Sequence, residues 1–146
     1  MRLLVQRSKN SSVSVEGNIV GKIDNGLVVL VSFTHRDTYD DIKYLAKKLI
    51  NLRIFDDENH IMNKSVKDVN GSILSISQFT LYANCKNGNR PSYSNAMNAT
   101  SASKMYDLFN EELRKYDVAV ECGIFQADME VKITNDGPVT ILLESE

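Results

Sequence analysis

Two polar stretches that adjoin strand-like runs carry the side chains with the potential for chemistry. Ser77–Ala83 follows the apolar run 73–76, and the hydroxyls of Ser77 and Thr80 are candidate nucleophiles. A hydroxyl nucleophile needs a base within hydrogen-bond reach, yet no histidine lies near either residue in sequence. The residues alone therefore leave two interpretations open. One is a Ser or Thr nucleophile, and the other is a set of polar groups that satisfies the backbone at a strand end.

The second stretch is Asn135–Thr140, which contains the dipeptide Gly137-Pro138. The only other proline, Pro91, lies in the polar loop that follows Ala83. Proline fixes φ and removes a donor, so a tight turn that leads into the last strand is the simplest interpretation. Only about 5% of X–Pro bonds in folded proteins are cis, and the sequence leaves the isomer open.

Composition and charge favour one globular domain over residues 1–146. The formal net charge of −2 argues against broad affinity for nucleic acid, although it is compatible with a protein that binds only the end of an RNA. No run approaches the roughly 20 apolar residues of a membrane span. The N-terminus lacks the features of a signal peptide. We therefore expect a cytoplasmic protein without a membrane partner.

The residues that favour metal binding are too few and too scattered to predict a metal site. The two cysteines, Cys85 and Cys122, lie far apart, and the only histidines are His35 and His60. A structural zinc site needs four ligands at recognisable spacing. The acidic loop 56–58 lacks the spacing of a calcium loop. We expect no metal and no cofactor.

Runs of strands and two separated helical patterns predict an α+β fold. We expect a mainly antiparallel sheet or barrel-like β structure, with the two main helices packed against it. The predicted strand features are a first strand at 3–7 that ends at Arg7, a hairpin turn at Glu16–Asn18, turns at Asp24–Gly26 and Asn70-Gly71 (the latter also a hairpin), a buried central strand at Leu27–Phe33, and last strands at 118–122, 128–134 and 139–143.

Helical spacing predicts the two helices. The first is expected to be capped by Asp37 or Thr38, with an apolar stripe at 42, 45, 46, 49 and 50. The second is expected to begin near Thr100 or Ser101 and to end at Lys115. Its predicted core residues are Met105, Leu108, Phe109 and Leu113.

Three motifs, in this order and spacing, resemble the signatures of the D-aminoacyl-tRNA deacylases, the D-tyrosyl-tRNA(Tyr) deacylase family. They are Ser77–Ala83, Gly88–Ser92 and Asn135–Thr140. Shorter matches, such as Val5–Arg7 and Leu52–Phe55, extend the resemblance over essentially the whole chain. It implies a homodimeric hydrolase that cleaves the ester between a D-amino acid and the 3′-terminal adenosine of tRNA. A glycyl ester has no side chain to clash with a wall that excludes L side chains, so we also expect action on glycyl-tRNA mischarged on a non-cognate tRNA.

The resemblance also assigns roles to particular residues. It implies a catalytic stretch of Ser77, Gln78, Phe79 and Thr80, and a cis Gly137-Pro138 peptide that reaches from one subunit into the pocket of the other and excludes L side chains. Arg7 would hold that peptide. The remaining implied contacts are with the substrate, through Ala102, Phe125 and Met129, and with the tRNA, through Lys86 and Arg90.

The implied mechanism uses the 2′-hydroxyl of the terminal ribose, while backbone N–H groups around Phe79 and Thr80 stabilise the oxyanion. The competing mechanism makes Thr80 the nucleophile. Two other readings stay open: a non-catalytic module that binds RNA ends, and a variant with a trans Gly-Pro peptide and altered chirality. The chain departs from the usual family pattern at Asn84, Cys85, Asn87 and Gln126, which leaves the details of tRNA contact open.

Overall fold

A five-stranded mixed sheet and two helices make up most of the computed structural model, which describes residues 1–145. In chain order the elements are β1 (Arg2–Val15), β2 (Asn18–Ser32), α1 (Tyr39–Ile50), β3 (Phe55–Asp56), β4 (Met62–Lys64), β5 (Ser72–Ser77), a 3-10 helix (Phe79–Tyr82), α2 (Ala99–Arg114), β6 (Val120–Cys122) and β7 (Met129–Glu144). The strand order in the large sheet is β6-β5-β2-β1-β7, and β3 pairs only with β4.

The long antiparallel ladders confirm the predicted α+β class. Strand β1 pairs antiparallel with both β2 and β7, while the shorter β5 pairs parallel with β2 and with β6. The turn between β1 and β2 is the predicted hairpin, and both Glu16 and Gly17 have positive φ there. That geometry suits the right-handed twist of two-residue hairpins.

The predictions that β1 ends at Arg7 and that Asp24–Gly26 forms a turn are wrong. Strand β1 continues to Val15, and its pairing register shifts along its length with both β2 and β7. Gly26 lies inside β2 with φ +145°, and a Cβ there would lie 1.8 Å from the carbonyl oxygen of Ser72. The glycine therefore permits a close approach of two backbones, which from sequence alone resembles a turn signal.

The hairpin predicted at Asn70-Gly71 is also wrong. Asn70 has a positive φ, and the N–H of Gly71 donates to the carbonyl of Val66 at 2.8 Å. This turn closes a local loop, after which β5 joins β2 as a parallel partner. A local turn motif gives no information about which distant strand the next segment will pair with.

The two last strands predicted at 128–134 and 139–143 are one strand, β7. Its pairing with β1 is interrupted between the partners of Gln6 and Ser8. The interruption is the segment around Gly137-Pro138, so the proline lies within an edge strand, where a missing N–H is tolerated. The strand predicted at 118–122 is shorter in the structure, Val120–Cys122.

Both helices are confirmed, with one correction to the predicted core. Helix α1 begins after Thr38, whose backbone N–H donates to the Asp41 carboxylate at 2.7 Å in a capping box. Helix α2 begins after Asn98, slightly earlier than predicted. Leu108 is not a core residue, because it is 38% exposed, whereas Tyr106 is buried. The buried stripe of α2 lies on the other side of the helix from Leu108.

The main core lies between the sheet and the two helices. Leu3 and Val5 of β1 and Leu27 and Val29 of β2 point into it, together with the buried faces of α1 and α2. A second, smaller cluster, which includes Leu74, lies on the opposite face of the sheet. No helix within residues 1–145 is long and apolar enough to cross a membrane.

Candidate active site

A cavity of about 740 Å³ lies at the carboxyl ends of β2 and β5. These two strands are parallel neighbours, so both end at the same edge of the sheet. The N-terminal turn of α2 and the loop before β7 complete the wall. The lining residues are Val31, Ser32, Phe33, Ile76, Ser77, Gln78, Phe79, Tyr93, Ala96, Met97, Asn98, Ala99, Ala102, Phe125, Gln126, Ala127, Met129 and Val131.

Three of the four predicted catalytic residues line this cavity: Ser77, Gln78 and Phe79. The backbone N–H of Gln78 donates to the carbonyl of Val31 at 2.7 Å and so fixes the end of β5. Thr80 is not among the lining residues. Its hydroxyl oxygen accepts a hydrogen bond from the Gln78 side-chain amide at 2.6 Å. An amide has no basicity at neutral pH, so this partner does not activate Thr80 as a nucleophile.

The 3-10 helix Phe79–Tyr82 presents unpaired backbone donors beside the cavity. The first N–H groups of a helix have no acceptor within that helix. In residues 1–145, neither the N–H of Phe79 nor that of Thr80 has a hydrogen-bond acceptor. Arg2 holds the other end of this short helix by donating to the carbonyl oxygen of Leu81 at 2.9 Å. The two N–H groups are therefore available to a ligand oxygen.

Two aromatic rings stand at the cavity. Phe79 is 56% exposed and Tyr93 is 40% exposed, and their ring centroids are 5.0 Å apart in an edge-to-face arrangement. Tyr93 follows a loop whose ends are tied by paired backbone hydrogen bonds between Asn84 and Ser92. Sequence reasoning did not identify Tyr93, although an aromatic residue directly after the Gly88–Ser92 motif is a recognisable signal. Exposed rings of this kind provide a flat apolar surface for a ligand.

The cavity wall carries no ionic charge. No Asp, Glu, His, Lys or Arg is among the residues that line it. Across residues 1–145, no cluster of three or more potential metal ligands is present either. The wall therefore offers hydroxyl, amide and backbone groups and apolar surface, but no charged acid or base.

The residues that the family resemblance implied as substrate contacts, Ala102, Phe125 and Met129, all line the cavity. Tyr106 is buried behind this wall and contacts it in two ways. Its hydroxyl donates to the carbonyl oxygen of Ser75 at 2.7 Å, and its ring centroid lies 6.0 Å from that of Phe125. Burial raises the pKa of Tyr106 to about 12. Tyr106 therefore stays a neutral hydrogen-bond donor over the physiological pH range.

Gly137 and Pro138 form an exposed loop within β7, and the peptide bond between them is cis. The alternative reading with a trans peptide is therefore wrong for this chain. Asn135 closes the loop through its side chain, which accepts from the N–H of Val139 at 3.0 Å and donates to the hydroxyl of Thr140 at 2.8 Å. These contacts give the loop a defined shape.

Arg7 holds the same loop from the neighbouring strand. Its Nε donates to the carbonyl oxygen of Asp136 at 3.0 Å, and its Nη1 donates to the carbonyl oxygen of Ile54 at 2.9 Å. The side chain is only 11% exposed and also pairs with the carboxylates of Asp56 and Asp136. Gly137 lies against it, because a Cβ at Gly137 would approach Arg7 Nη2 to 2.9 Å. The arginine therefore fixes the position of the Gly-Pro peptide.

One chain does not bring the two motifs into one site. Gly137 and Pro138 are absent from the cavity wall, although Met129 and Val131 at the start of β7 line it. Ser77 of β5 pairs with Val31 of β2, and Val31 pairs with Leu3 of β1. Leu3 in turn pairs with Leu143 of β7, so Ser77 and Leu143 lie in the same row across the sheet. Gly137 precedes Leu143 along β7 by an offset of roughly 20 Å for an extended strand.

The two predicted tRNA contacts, Lys86 and Arg90, lie in the exposed loop between Ala83 and Tyr93. Within the described residues, neither side chain forms a salt bridge with an acidic residue. This loop begins where the 3-10 helix ends, so both cations are on the side of the molecule that carries the cavity.

The fold and the cavity define an α+β protein with an uncharged cavity at the strand ends, lined in part by the aromatic rings of Phe79 and Tyr93. The family model for D-Tyr-tRNA(Tyr) deacylase matches residues 4–144, and the chain belongs to this family. It is therefore an enzyme of the hydrolase class.

Curated relatives agree with this placement, and two solved structures share the fold. The chain is 54% identical to the D-aminoacyl-tRNA deacylase of Bacillus cytotoxicus and 53% identical to that of Bacillus cereus, in each case over 146 residues and the full length of both chains. The structure of c-Myc DNA Unwinding Element Binding Protein superposes with a TM-score of 0.94, at 40% identity over 100% of this chain and 99% of the other. A probable eukaryotic D-amino acid tRNA deacylase, at 17% identity, a TM-score of 0.81 and 97% coverage of both chains, shares the fold.

Proposed function

We propose that this protein is a D-aminoacyl-tRNA deacylase that hydrolyses the ester between a D-amino acid and the 3′-terminal adenosine of tRNA. The observation that carries the proposal is the position of Ser77, Gln78 and Phe79 in the wall of the cavity, in a chain that matches a deacylase over its full length. Water adds to the ester carbonyl, and the bond to the ribose oxygen breaks. The products are a free D-amino acid and a tRNA with a restored hydroxyl. We expect this activity in the cytoplasm, where aminoacyl-tRNA is used.

The absence of a charged group from the cavity wall supports assistance by the substrate. The 2′-hydroxyl of the terminal ribose lies next to the ester and can act as the acid–base partner, because the wall has no carboxylate, imidazole or amine for that role. The role of the protein is to hold the ester in a reactive orientation. The free N–H groups of Phe79 and Thr80 are suited to stabilise the negative charge that develops on the carbonyl oxygen.

The functional unit in this proposal is a homodimer. The Gly137-Pro138 loop is exposed and rigidly held but lies away from the cavity of its own chain, which suits a loop that enters a second subunit. An apolar strip lies on the sheet face opposite the helices, where Leu4 pairs in register with both Leu30 and Leu142. Leu142 is 50% exposed. Apolar side chains in such a strip favour association with a second copy.

Selection of the D enantiomer follows from this arrangement. The carbonyl oxygens of Gly137 and Pro138 would accept the substrate's amino group and leave no room for an L side chain. A single steric wall excludes every L enantiomer alike, whereas recognition of each D side chain would need many specific contacts. A glycyl ester has no side chain to exclude, so mischarged glycyl-tRNA is also a substrate in this proposal. Lys86 and Arg90 contact the phosphates of the acceptor end.

The central test compares hydrolysis of D-tyrosyl-tRNA and L-tyrosyl-tRNA by the purified protein. We expect rapid loss of the D ester and survival of the L ester. Equal rates would contradict the chiral selection. Binding of D-tyrosyl-tRNA without hydrolysis would instead indicate the non-catalytic RNA-end module. Glycyl-tRNA, tested at the same enzyme concentration, should be cleared as well, and its survival would refute rejection as the basis of selectivity.

The variant Thr80→Ala separates the two mechanisms. If the tRNA 2′-hydroxyl assists, activity should stay within about tenfold of wild type, because only the contact with Gln78 is lost. If Thr80 is the nucleophile, removal of its hydroxyl should lower kcat by a factor on the order of 10³ or more while tRNA binding persists. D-tyrosyl-tRNA with a 2′-deoxy terminal adenosine provides the complementary substrate, and we expect it to resist hydrolysis.

A further inference from the structure

Gln126 has a backbone conformation that its residue type rarely adopts. Its φ is +62°, and it is the third residue of a tight turn in which the N–H of Ala127 donates to the carbonyl of Ile124 at 3.2 Å. A positive φ at this turn position normally selects glycine or asparagine, because a Cβ is crowded there. Most other non-glycine residues with positive φ in residues 1–145 are Asn, Asp or His, and Glu16 is the exception.

The unfavourable conformation occurs in the wall of the active-site cavity. Gln126 lines the cavity between Phe125 and Ala127, and no other lining residue has a positive φ. Residues in sparsely populated backbone regions are found preferentially at ligand sites. The strained backbone places a long amide side chain at a position where glycine would leave none.

The other amides of the cavity wall are already engaged. The Gln78 side-chain nitrogen donates to the Thr80 hydroxyl at 2.6 Å, and the Asn98 side-chain oxygen accepts from the N–H of Ser101 at 3.0 Å. Within residues 1–145, no protein group forms a hydrogen bond with either polar atom of the Gln126 side chain. Gln126 is therefore the amide in this wall whose donor and acceptor are both available to a ligand.

We propose that Gln126 binds the edge of the terminal adenine of the aminoacyl-tRNA. The inference rests on the proposed function, which brings that base to this cavity. The Gln126 side-chain oxygen accepts from the exocyclic N6 amino group, and its side-chain nitrogen donates to a neighbouring ring nitrogen. A glutamine amide matches adenine in this bidentate manner. Because tRNAs share the same terminal adenosine, the contact orients the ester and does not select among tRNAs.

The surroundings of Gln126 suit a neutral heteroaromatic base. The wall has no ionic charge, and the rings of Phe79 and Tyr93 provide apolar surface at the same cavity. Ring surfaces of this kind bind the face of a base without distinguishing one base from another. A paired donor and acceptor at the edge fixes its rotation, and Gln126 supplies that pair.

Two variants separate the role of the amide from the effect of the backbone. Gln126→Ala removes the amide but keeps a Cβ at positive φ, whereas Gln126→Gly removes both. We expect each variant to raise the KM for D-tyrosyl-tRNA by about tenfold with little change in kcat. Only Gln126→Gly should raise Tm, because only glycine relieves the left-handed conformation.

The substrate provides a second, independent readout. D-tyrosyl-tRNA that ends in purine riboside lacks the N6 amino group, and wild-type enzyme should hydrolyse it with a kcat/KM about tenfold lower than the adenosine form. Gln126→Ala should hydrolyse both forms equally. If the KM is unchanged in both variants, or if Gln126→Ala still discriminates between the adenosine and purine riboside forms, the proposed role of Gln126 is overturned. The proposed function is not affected by either result. Failure of the wild type to hydrolyse the adenosine form would instead refute the proposed function.

Discussion

The Arg7 guanidinium donates to the carbonyl oxygen of Asp136 at 3.0 Å, on the residue directly before Gly137. The same side chain reaches the carbonyl of Ile54 at 2.9 Å. It thus connects the Gly-Pro loop to the segment after α1 through a largely buried, charge-assisted network. The side chain that fixes this loop comes from a different strand, so the loop does not depend on its own sequence alone for its shape.

Arg7→Ala should reduce deacylation of D-tyrosyl-tRNA by about 10- to 100-fold. Without the Arg7 side chain, the carbonyl oxygens of Asp136 and Ile54 lose their hydrogen-bond donor, and the loop is free to move. Small displacements of a group that positions the substrate have large effects on rate. Single-turnover hydrolysis measures this effect. Lys9→Ala is the matched control, because Lys9 also pairs with the Asp136 carboxylate, at 3.3 Å, but is mostly exposed. Full activity of Arg7→Ala would exclude a positioning role for Arg7.

Gly137→Ala should abolish most D-specific activity while the protein remains folded. The position has φ +130°, and a Cβ would lie 2.8 Å from a Val139 methyl carbon and 2.9 Å from Arg7 Nη2. The loop must therefore shift, at a cost of about 1–3 kcal/mol. Gly17→Ala is the control, because it also has a positive φ but its Cβ would meet nothing within 4 Å. Comparable activity losses in the two variants would show that strain alone, without the clash with Arg7, explains the effect.

The elements that the sequence predicted correctly are those with local signals. The capping residue Thr38 and the hairpin around Gly17 each follow from a few neighbouring residues. Gly26 and Asn70 also carry local signals, but their meaning depends on a partner strand that is distant in sequence. Gly26 allows the backbone of Ser72 to approach, and no turn forms there. Strand pairing of this kind is decided by the tertiary packing of the sheet.

The site was predictable to the extent that its residues belong to motifs. Ser77 and Phe79 follow a strand in sequence and line the cavity in the structure. Tyr93 and Gln126 were missed as site residues because their roles depend on loop geometry. For Gln126 that geometry is a positive φ, which sequence does not reveal for a residue other than glycine, asparagine or aspartate.

We expect the protein to lose stability at acid pH because of the carboxyl group of Glu112. Its carboxylate accepts from Lys115 Nζ at 2.6 Å and from the hydroxyl of Tyr39 at 2.7 Å. The hydrogen bond from Lys115 and then that from Tyr39 lower the pKa of Glu112 below its ordinary value of 4.5. A carboxyl group with a lower pKa in the folded state adds stability above its unfolded pKa, and this is lost as the pH falls through the folded pKa.

Glu112→Gln should therefore lower Tm by about 3 °C at pH 7 and flatten the dependence of Tm on pH below about 4.5. Thermal unfolding from pH 3 to pH 7 measures both effects. The matched control is Glu130→Gln, whose partner Lys132 is exposed, and exposed pairs contribute little. An identical pH profile for wild type and Glu112→Gln would remove Glu112 as the source of the acid sensitivity.

Leu142→Asp should dissociate the proposed homodimer and thereby remove activity from an otherwise intact cavity. Leu142 is 50% exposed and lies beside Leu4 on the sheet face that no helix covers. A charge placed in a buried apolar interface without a partner is strongly unfavourable. Sedimentation should show a monomer, and the monomer should fail to hydrolyse D-tyrosyl-tRNA, because no second subunit supplies Gly137-Pro138. Leu108→Asp, on an exposed face of α2, should leave both assembly and activity intact. A fully active Leu142→Asp monomer would show that the site is complete within one chain.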